Sequence, residues 1–333
     1  MIMNWQYDRG RSRLRELSII FVTLHLSSGT LPVWRNVTDF NGRDLTIADL
    51  IKDMRKLLIL AIMSLVPVAM SAQAQITTKK MKLEDFPEKV TKVVLSGNIF
   101  VDKAVEDAVK NRWTISPYEF CTKDEFEALK NREDYYFLIT VLGQFRKEVE
   151  PGIEMLSLVK GGKGADLGLD KMLEVVSVPV CSADYPSGRE ITFMPALIDI
   201  IQSHVTASMK RDINAYGGLG TSSVGLDGAR RKRVVFARED ISSEVDSLFL
   251  AGLDADKFEI LPEAQADALM EAGAVNTLVS YTVYPYEAKA GSFCYKMLID
   301  AHTHKLYYFR KHKISGNAGP GFLEEDIARI ARR

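Results

Sequence analysis

The chain has 333 residues, 47% of them hydrophobic and 26% charged, with a formal net charge of −1. This composition excludes a disordered chain and a multi-span membrane protein, and a charge near zero argues against a nucleic-acid partner. The length predicts about two domains, since a single core seldom grows past ~250 residues.

Residues 1–53 carry Trp5, Trp34 and a basic cluster (Arg9, Arg11, Arg13, Arg15) without sustained periodicity. They read as upstream translation from a mis-called start codon; the alternative is a cytoplasmic tail before a signal anchor. Residues 54–74 read as a secretory signal peptide. Met54-Arg55-Lys56 is a basic start, 57–70 is an apolar run, and Ser71-Ala72-Gln73-Ala74 is a small-x-small cleavage site. The apolar stretch falls short of the ~20 residues that a spanning helix needs, and Pro67 breaks the helix near its end. Cleavage is expected between Ala74 and Gln75, giving a soluble periplasmic or secreted chain with no stable membrane insertion.

The remainder predicts two modules, 75–212 and 231–333, joined by a linker over 213–230. In the first, Lys92-Val93-Val94-Leu95 reads as a buried strand. Val101, Ala104, Val105, Ala108 and Val109 form one helical stripe. A short strand is expected over 113–116, ending at Pro117. Thr122-Lys123-Asp124-Glu125 is a capping box for the next helix. Strands follow over 135–141, 153–159 and 173–180, and a last helix is expected to begin near Pro195.

The second module repeats this order, with Arg233-Val234-Val235-Phe236 for the first strand, a helix over 244–253, and Phe258-Glu259-Ile260-Leu261-Pro262 aligned with 113–117. Ala268-Leu269 matches Ala128-Leu129, Thr282-Val283 matches Thr140-Val141, and Met297-Leu298 matches Met155-Leu156. Residues 306–313 supply the third strand of the final set, and Asp326-Ile327 echoes Asp199-Ile200. The fold class is therefore α/β (α+β), two tandem related modules, each β-α-β-α-β-β-β-α with helices packed on a mixed sheet. Residues 215–230 hold Gly217, Gly218, Gly220, Gly225 and Gly228, which predicts a flexible hinge. In element order each module resembles the amino-terminal domain of TolB and the periplasmic domain of CsgG-like assembly proteins. That resemblance carries over no functional residues; it implies a non-enzymatic envelope module that binds partner proteins.

Motifs for chemistry are sparse. Gly161-Gly162-Lys163-Gly164 lacks the spacing of a phosphate loop and falls between strands, so it reads as a hairpin loop. Gly220-Thr221-Ser222-Ser223-Val224-Gly225 misses the nucleophile-elbow spacing by one residue. Neither implies a cofactor, and none is expected. His302 and His304, beside Asp300, are the candidate metal ligands, since i and i+2 on a strand share a face. The chain must also turn between Ile299 and Leu306, which makes a polar turn the competing reading. Arg230-Arg231-Lys232-Arg233 reads as a solvated basic loop. Cys121, Cys181 and Cys294 match no zinc spacing and read as buried free thiols, although an oxidising compartment permits one disulfide.

The second module is rich in aromatic strand residues. Tyr281, Tyr295, Tyr307 and Tyr308 are the candidates for a partner or ligand surface, with cross-strand core packing as the alternative. The functional expectation is an envelope module with a protein partner. Two alternatives stand beside it: a carbohydrate or peptidoglycan binder using the tyrosine-rich sheet, and a hydrolase with its site at the module interface.

Overall fold

The computed structural model describes residues 37–38, 44–45, 83–143, 151–210 and 218–333. The signal peptide, its cleavage site and most of 1–53 lie outside the described residues. Within Met1–Ala72, the strand β1 (Val37–Thr38) pairs antiparallel with β2 (Asp44–Leu45). Among the described residues no helix is long and apolar enough to cross a membrane.

From Gln73 onward the first module builds a sheet from β3 (Val90–Val94), β4 (Tyr118–Cys121), β5 (Tyr135–Gly143), β6 (Ile153–Lys160) and β7 (Leu173–Ser182). The spatial order is β4-β3-β5-β6-β7. The first three strands are parallel, and β5, β6 and β7 form an antiparallel meander. The chain steps outward from β3 to β4, then back past β3 to β5. Right-handed crossovers therefore put the two connecting helices on opposite faces. The first, α1 (Ile99–Arg112), buries Val101, Val105, Ala108 and Val109, as its stripe predicts, and Asn98 caps its N-terminus. The second, α2 (Lys123–Leu129), starts at the expected capping box: Thr122 Oγ1 accepts Glu125 N–H at 3.2 Å, and Glu125 Oε2 accepts Thr122 N–H at 2.7 Å.

Two boundaries depart from the sequence reading. Residues 113–116 are not a strand: Trp113 is the C-cap of α1, and its indole N–H reaches Ser116 Oγ at 3.0 Å. The strand begins after Pro117, whose carbonyl accepts Thr91 N–H at 2.8 Å. Proline supplies an acceptor but no donor, so it precedes the ladder rather than closing it. The closing helix α3 (Arg189–Lys210) begins six residues before Pro195, which sits inside it. Pro195 leaves the Ile191 carbonyl without its intrahelical donor, and Ile191 is exposed to solvent that can replace it.

After the short helix α4 (Leu219–Ser222), the second module repeats the layout. Its elements are β8 (Arg233–Ala237), α5 (Ser247–Ala251), β9 (Phe258–Leu261), α6 (Glu263–Glu271), β10 (Thr277–Val283), β11 (Phe293–Asp300), β12 (Leu306–Lys313) and α7 (Glu324–Ala331). Strand order β9-β8-β10-β11-β12 and all strand directions reproduce the first sheet. The matching pairs shift in detail. Tyr118–Cys121 corresponds to Phe258–Leu261, so Thr122 and Pro262 are equivalent N-caps and Pro117 has no counterpart. Met155 sits opposite Val141 whereas Met297 sits opposite Tyr281. The two hairpins differ by a two-residue slide, which keeps each side chain on its face. The expected 244–253 helix contracts to α5, where Leu248 is 79% exposed and no continuous apolar stripe holds a longer helix.

The modules share one core. A single cluster joins Val93, Val105, Leu138 and Phe193 of the first to Val235, Ala266, Val279 and Tyr281 of the second. Smaller clusters lie under α2 on the outer face of the first sheet and under α5 and α7 on the outer face of the second. The faces that meet are not equivalent: the first module contributes the face bearing α1 and α3, the second the face bearing α6. The described part of the glycine-rich connection is packed rather than loose. Leu219 and Ala229 are buried, and Val224 N–H donates to the Leu306 carbonyl at 2.8 Å.

Candidate functional site

The module interface is pinned by a buried cation. Arg189 opens α3, where the helix dipole disfavours positive charge, and its side chain is only 5% exposed. A guanidinium in that position requires full compensation. Its Nε donates to both Asp267 oxygens at 3.0 Å, Nη1 to Asp240 Oδ1 at 2.9 Å, and Nη2 to the Ser280 carbonyl at 3.1 Å. The group lies over the rings of Phe193 and Tyr281, 5.3 and 5.1 Å from their centroids. Asp240 also accepts Ser280 Oγ at 2.6 Å and Thr282 N–H at 3.2 Å.

Carboxylates outnumber this cation. Glu263 lies 3.6 Å from Arg189 Nη1, and Glu239 accepts Glu263 N–H at 2.9 Å. Burial pushes the Glu263 carboxyl above its ordinary range; Arg189 opposes this, while Asp267, Asp240 and Glu239 add to it. Burial also raises Asp267, against its hydrogen bonds from Arg189. A cavity of about 190 Å³ opens above this cluster, with Arg189, Asp240 and Tyr281 at its base and Glu239 and Glu263 in its wall. At its lip stand Tyr185 and Tyr286, each 63% exposed, with ring centroids 4.2 Å apart. Tyr286 is held by its own N–H, which donates to Ser182 Oγ at 3.1 Å.

The chain matches no family model, no curated protein and no solved structure.

Among the candidate surface and ligand residues read from sequence, Tyr281 lies at the base of this cavity and the others fall elsewhere. Tyr281, Tyr295, Tyr307 and Tyr308 are all buried, none more than 7% exposed, so the second sheet presents no tyrosine surface. Each packs in a core cluster, with helices on both faces of the sheet. Tyr281 donates to the Val180 carbonyl across the interface, and Tyr308 donates to Asp326 Oδ1 at 2.6 Å.

His302 and His304 are not brought together as ligands. They lie in the β11–β12 turn, where Asp300 Oδ1 accepts His302 N–H and Thr303 N–H at 3.1 and 2.7 Å. His302 is exposed, and His304 adopts φ +56° with its Nδ1 2.8 Å from Asp199 Oδ2. His312 is engaged separately, its Nε2 2.8 Å from the Gly319 carbonyl. Among the described residues no group of three or more His, Cys, Asp or Glu is placed to hold a metal ion.

Cys121, Cys181 and Cys294 are free and buried; burial raises Cys121 to about 11 and Cys294 to about 12, so both are protonated and unreactive near neutrality. The Gly161–Gly164 loop is the β6–β7 connection; at Gly164, with φ +89°, a Cβ would stand 2.3 Å from the Lys171 carbonyl oxygen.

Arg189, Glu239, Glu263, Tyr185 and Tyr286 carry no motif. Their only local signal is the i, i+4 spacing of Glu263 and Asp267 on α6, which puts two carboxylates on one helical face.

Proposed function

We propose that this chain is an exported, non-enzymatic envelope module that binds a protein partner in the cleft between its two modules, taking a lysine or arginine side chain of that partner. The observation that carries this reading is the exposed Tyr185–Tyr286 pair standing over a cavity in which carboxylates exceed cations. The outward face of this ring pair attracts a cation by roughly 0.5–2 kcal/mol, and Glu239 and Glu263 supply a counter-charge that Arg189 does not fully neutralise. Export rests on the signal segment 54–74 and is tested by the intact mass of the secreted chain, expected to begin at Gln75.

The binding test is calorimetry of the whole protein with tetralysine at low salt, with tetraalanine as control. Tetralysine is expected to bind at least tenfold more weakly to the Tyr185→Ala/Tyr286→Ala protein and to Glu239→Gln/Glu263→Gln. Equal binding to all three proteins would remove the cleft as the site. The tyrosine pair also suits stacking on a sugar ring. Soluble peptidoglycan fragments that bind when tetralysine does not would transfer the cleft to a cell-wall glycan.

A further inference from the structure

A second cavity, of about 530 Å³, lies further along α3 and is also walled by both modules. The end of α1 contributes Arg112, the C-terminal half of α3 contributes Asp199, Ser203, Thr206 and Lys210, and the β11–β12 turn contributes Thr303 and Lys305. Its wall is fixed by hydrogen bonds across elements. Gln202, 8% exposed, donates to the Arg112 carbonyl at 2.9 Å and to Asp199 Oδ1 at 3.2 Å, and accepts Thr114 N–H at 2.8 Å. Arg112 pairs with Asp199 Oδ2 at 2.6 Å, which uses up the carboxylate in the wall. Lys210 and Lys305 have no carboxylate partner among the described residues, so the lining carries uncompensated positive charge.

The hydroxyls divide into two kinds. Thr303 Oγ1 already donates to Asp300 Oδ1 at 2.9 Å, and Thr114 Oγ1 to Gln202 Oε1 at 3.4 Å, so each faces a ligand as an acceptor. Ser203 and Thr206, i and i+3 on α3, share a helical face and add further hydroxyls to the wall. No aromatic side chain lines this cavity, which removes the platform that a nucleobase would stack on.

We infer that this cavity binds a phosphate monoester carried on a hydroxyl-bearing group, with Lys210 and Lys305 holding the phosphate and Thr114 and Thr303 accepting from the ligand's hydroxyls. Lysine serves as a point charge for phosphate, whereas the Arg112 Nε and Nη2 are both already placed on Asp199 Oδ2, at 2.7 and 2.6 Å. The volume falls in the range of small-ligand sites. A free sugar phosphate and the phosphorylated headgroup of a lipid present the same chemistry.

The test measures binding to the full chain of glucose 6-phosphate, glucose and, separately, vesicles of phosphatidylcholine with or without phosphatidylinositol 4-phosphate. Binding is expected for glucose 6-phosphate or for the phosphoinositide vesicles, whichever source is right, and not for glucose or plain vesicles. Lys210→Ala/Lys305→Ala should weaken it at least tenfold, and Lys210→Arg/Lys305→Arg should retain most of it. Arg230→Ala/Arg231→Ala, which removes charge outside the cavity, should leave it unchanged. Both lysines are exposed, so an unchanged melting midpoint confirms that the variant is folded. Absence of binding in both arms, or equal binding by the Lys210→Ala/Lys305→Ala protein, overturns the assignment.

Discussion

His204 shows how much one buried side chain sets the response of this fold to pH. It lies on the core face of α3 with no exposed surface, and burial lowers its pKa from 6.5 to about 4, opposed by a hydrogen bond with the Val175 backbone. The folded protein therefore holds a neutral imidazole until the solution is quite acidic, whereas the unfolded chain takes up the proton near pH 6.5. Below 6.5 the unfolded state binds more protons, so the stability that His204 contributes is complete above 6.5, is lost as pH falls, and levels off below about 4. Two and a half units correspond to roughly 3 kcal/mol, with about 2 kcal/mol of it gone by pH 5. Glu154, Glu263 and Asp267 are raised by burial and act in the opposite sense, while His312 is lowered and acts in the same sense. All four are present in His204→Gln as well, so they cancel in a comparison. Urea midpoints at pH 7 and pH 5 should fall further for the wild type than for His204→Gln; equal losses would show that the imidazole is already charged in the fold.

At the scale of elements, what could be read from sequence followed from the strength of the local signal. The α1 stripe, the meander β5–β7 and strand β12 were legible because a helical stripe or a sustained apolar run extends over eight or more residues. The capping box was legible because its two hydrogen bonds are made within four residues. Replacing Thr122 with Ala removes the acceptor for Glu125 N–H and is expected to cost about 1 kcal/mol, read as a lower urea midpoint; Thr122→Ser should lose little. No shift in the Ala variant would mean that sheet packing, not the cap, starts α2. The short strand β4 was harder to place than β9, because four residues define no periodicity and its position comes from pairing with β3. Pro117 was misread for that reason, since a proline marks a strand end equally well on either side. The six extra residues of α3 are held by Arg189 and its partners in the other module, which nothing local announces.

The described residues from Leu83 onward form two copies of one topology fused through unlike faces, and this explains why neither cavity was visible in the sequence. Residue order shows that the modules are related but not which faces meet, so Arg189 cannot be connected to Asp240 and Asp267, 51 and 78 positions away. The tyrosines misled for the same reason: strand alternation exposes one face of a lone sheet, whereas here each sheet is covered on both. One shared core also has a mechanical consequence. Neither module retains its inner apolar face in water without the other, so the two should unfold together. Arg189→Met tests this directly, because it leaves Asp240 and Asp267 buried beside an apolar side chain. Breaking such a pair from one side costs roughly 3–5 kcal/mol. If the core is shared, the most protected amides of β5 in the first module and of β10 in the second should lose that protection by the same amount in hydrogen exchange. Loosening of β10 with β5 unchanged would show that the second module opens independently. The cleft between them would then be a hinge rather than a fixed site, and the proposed binding of a partner's cation beside Tyr185 and Tyr286 would require closure of the cleft rather than a preformed surface.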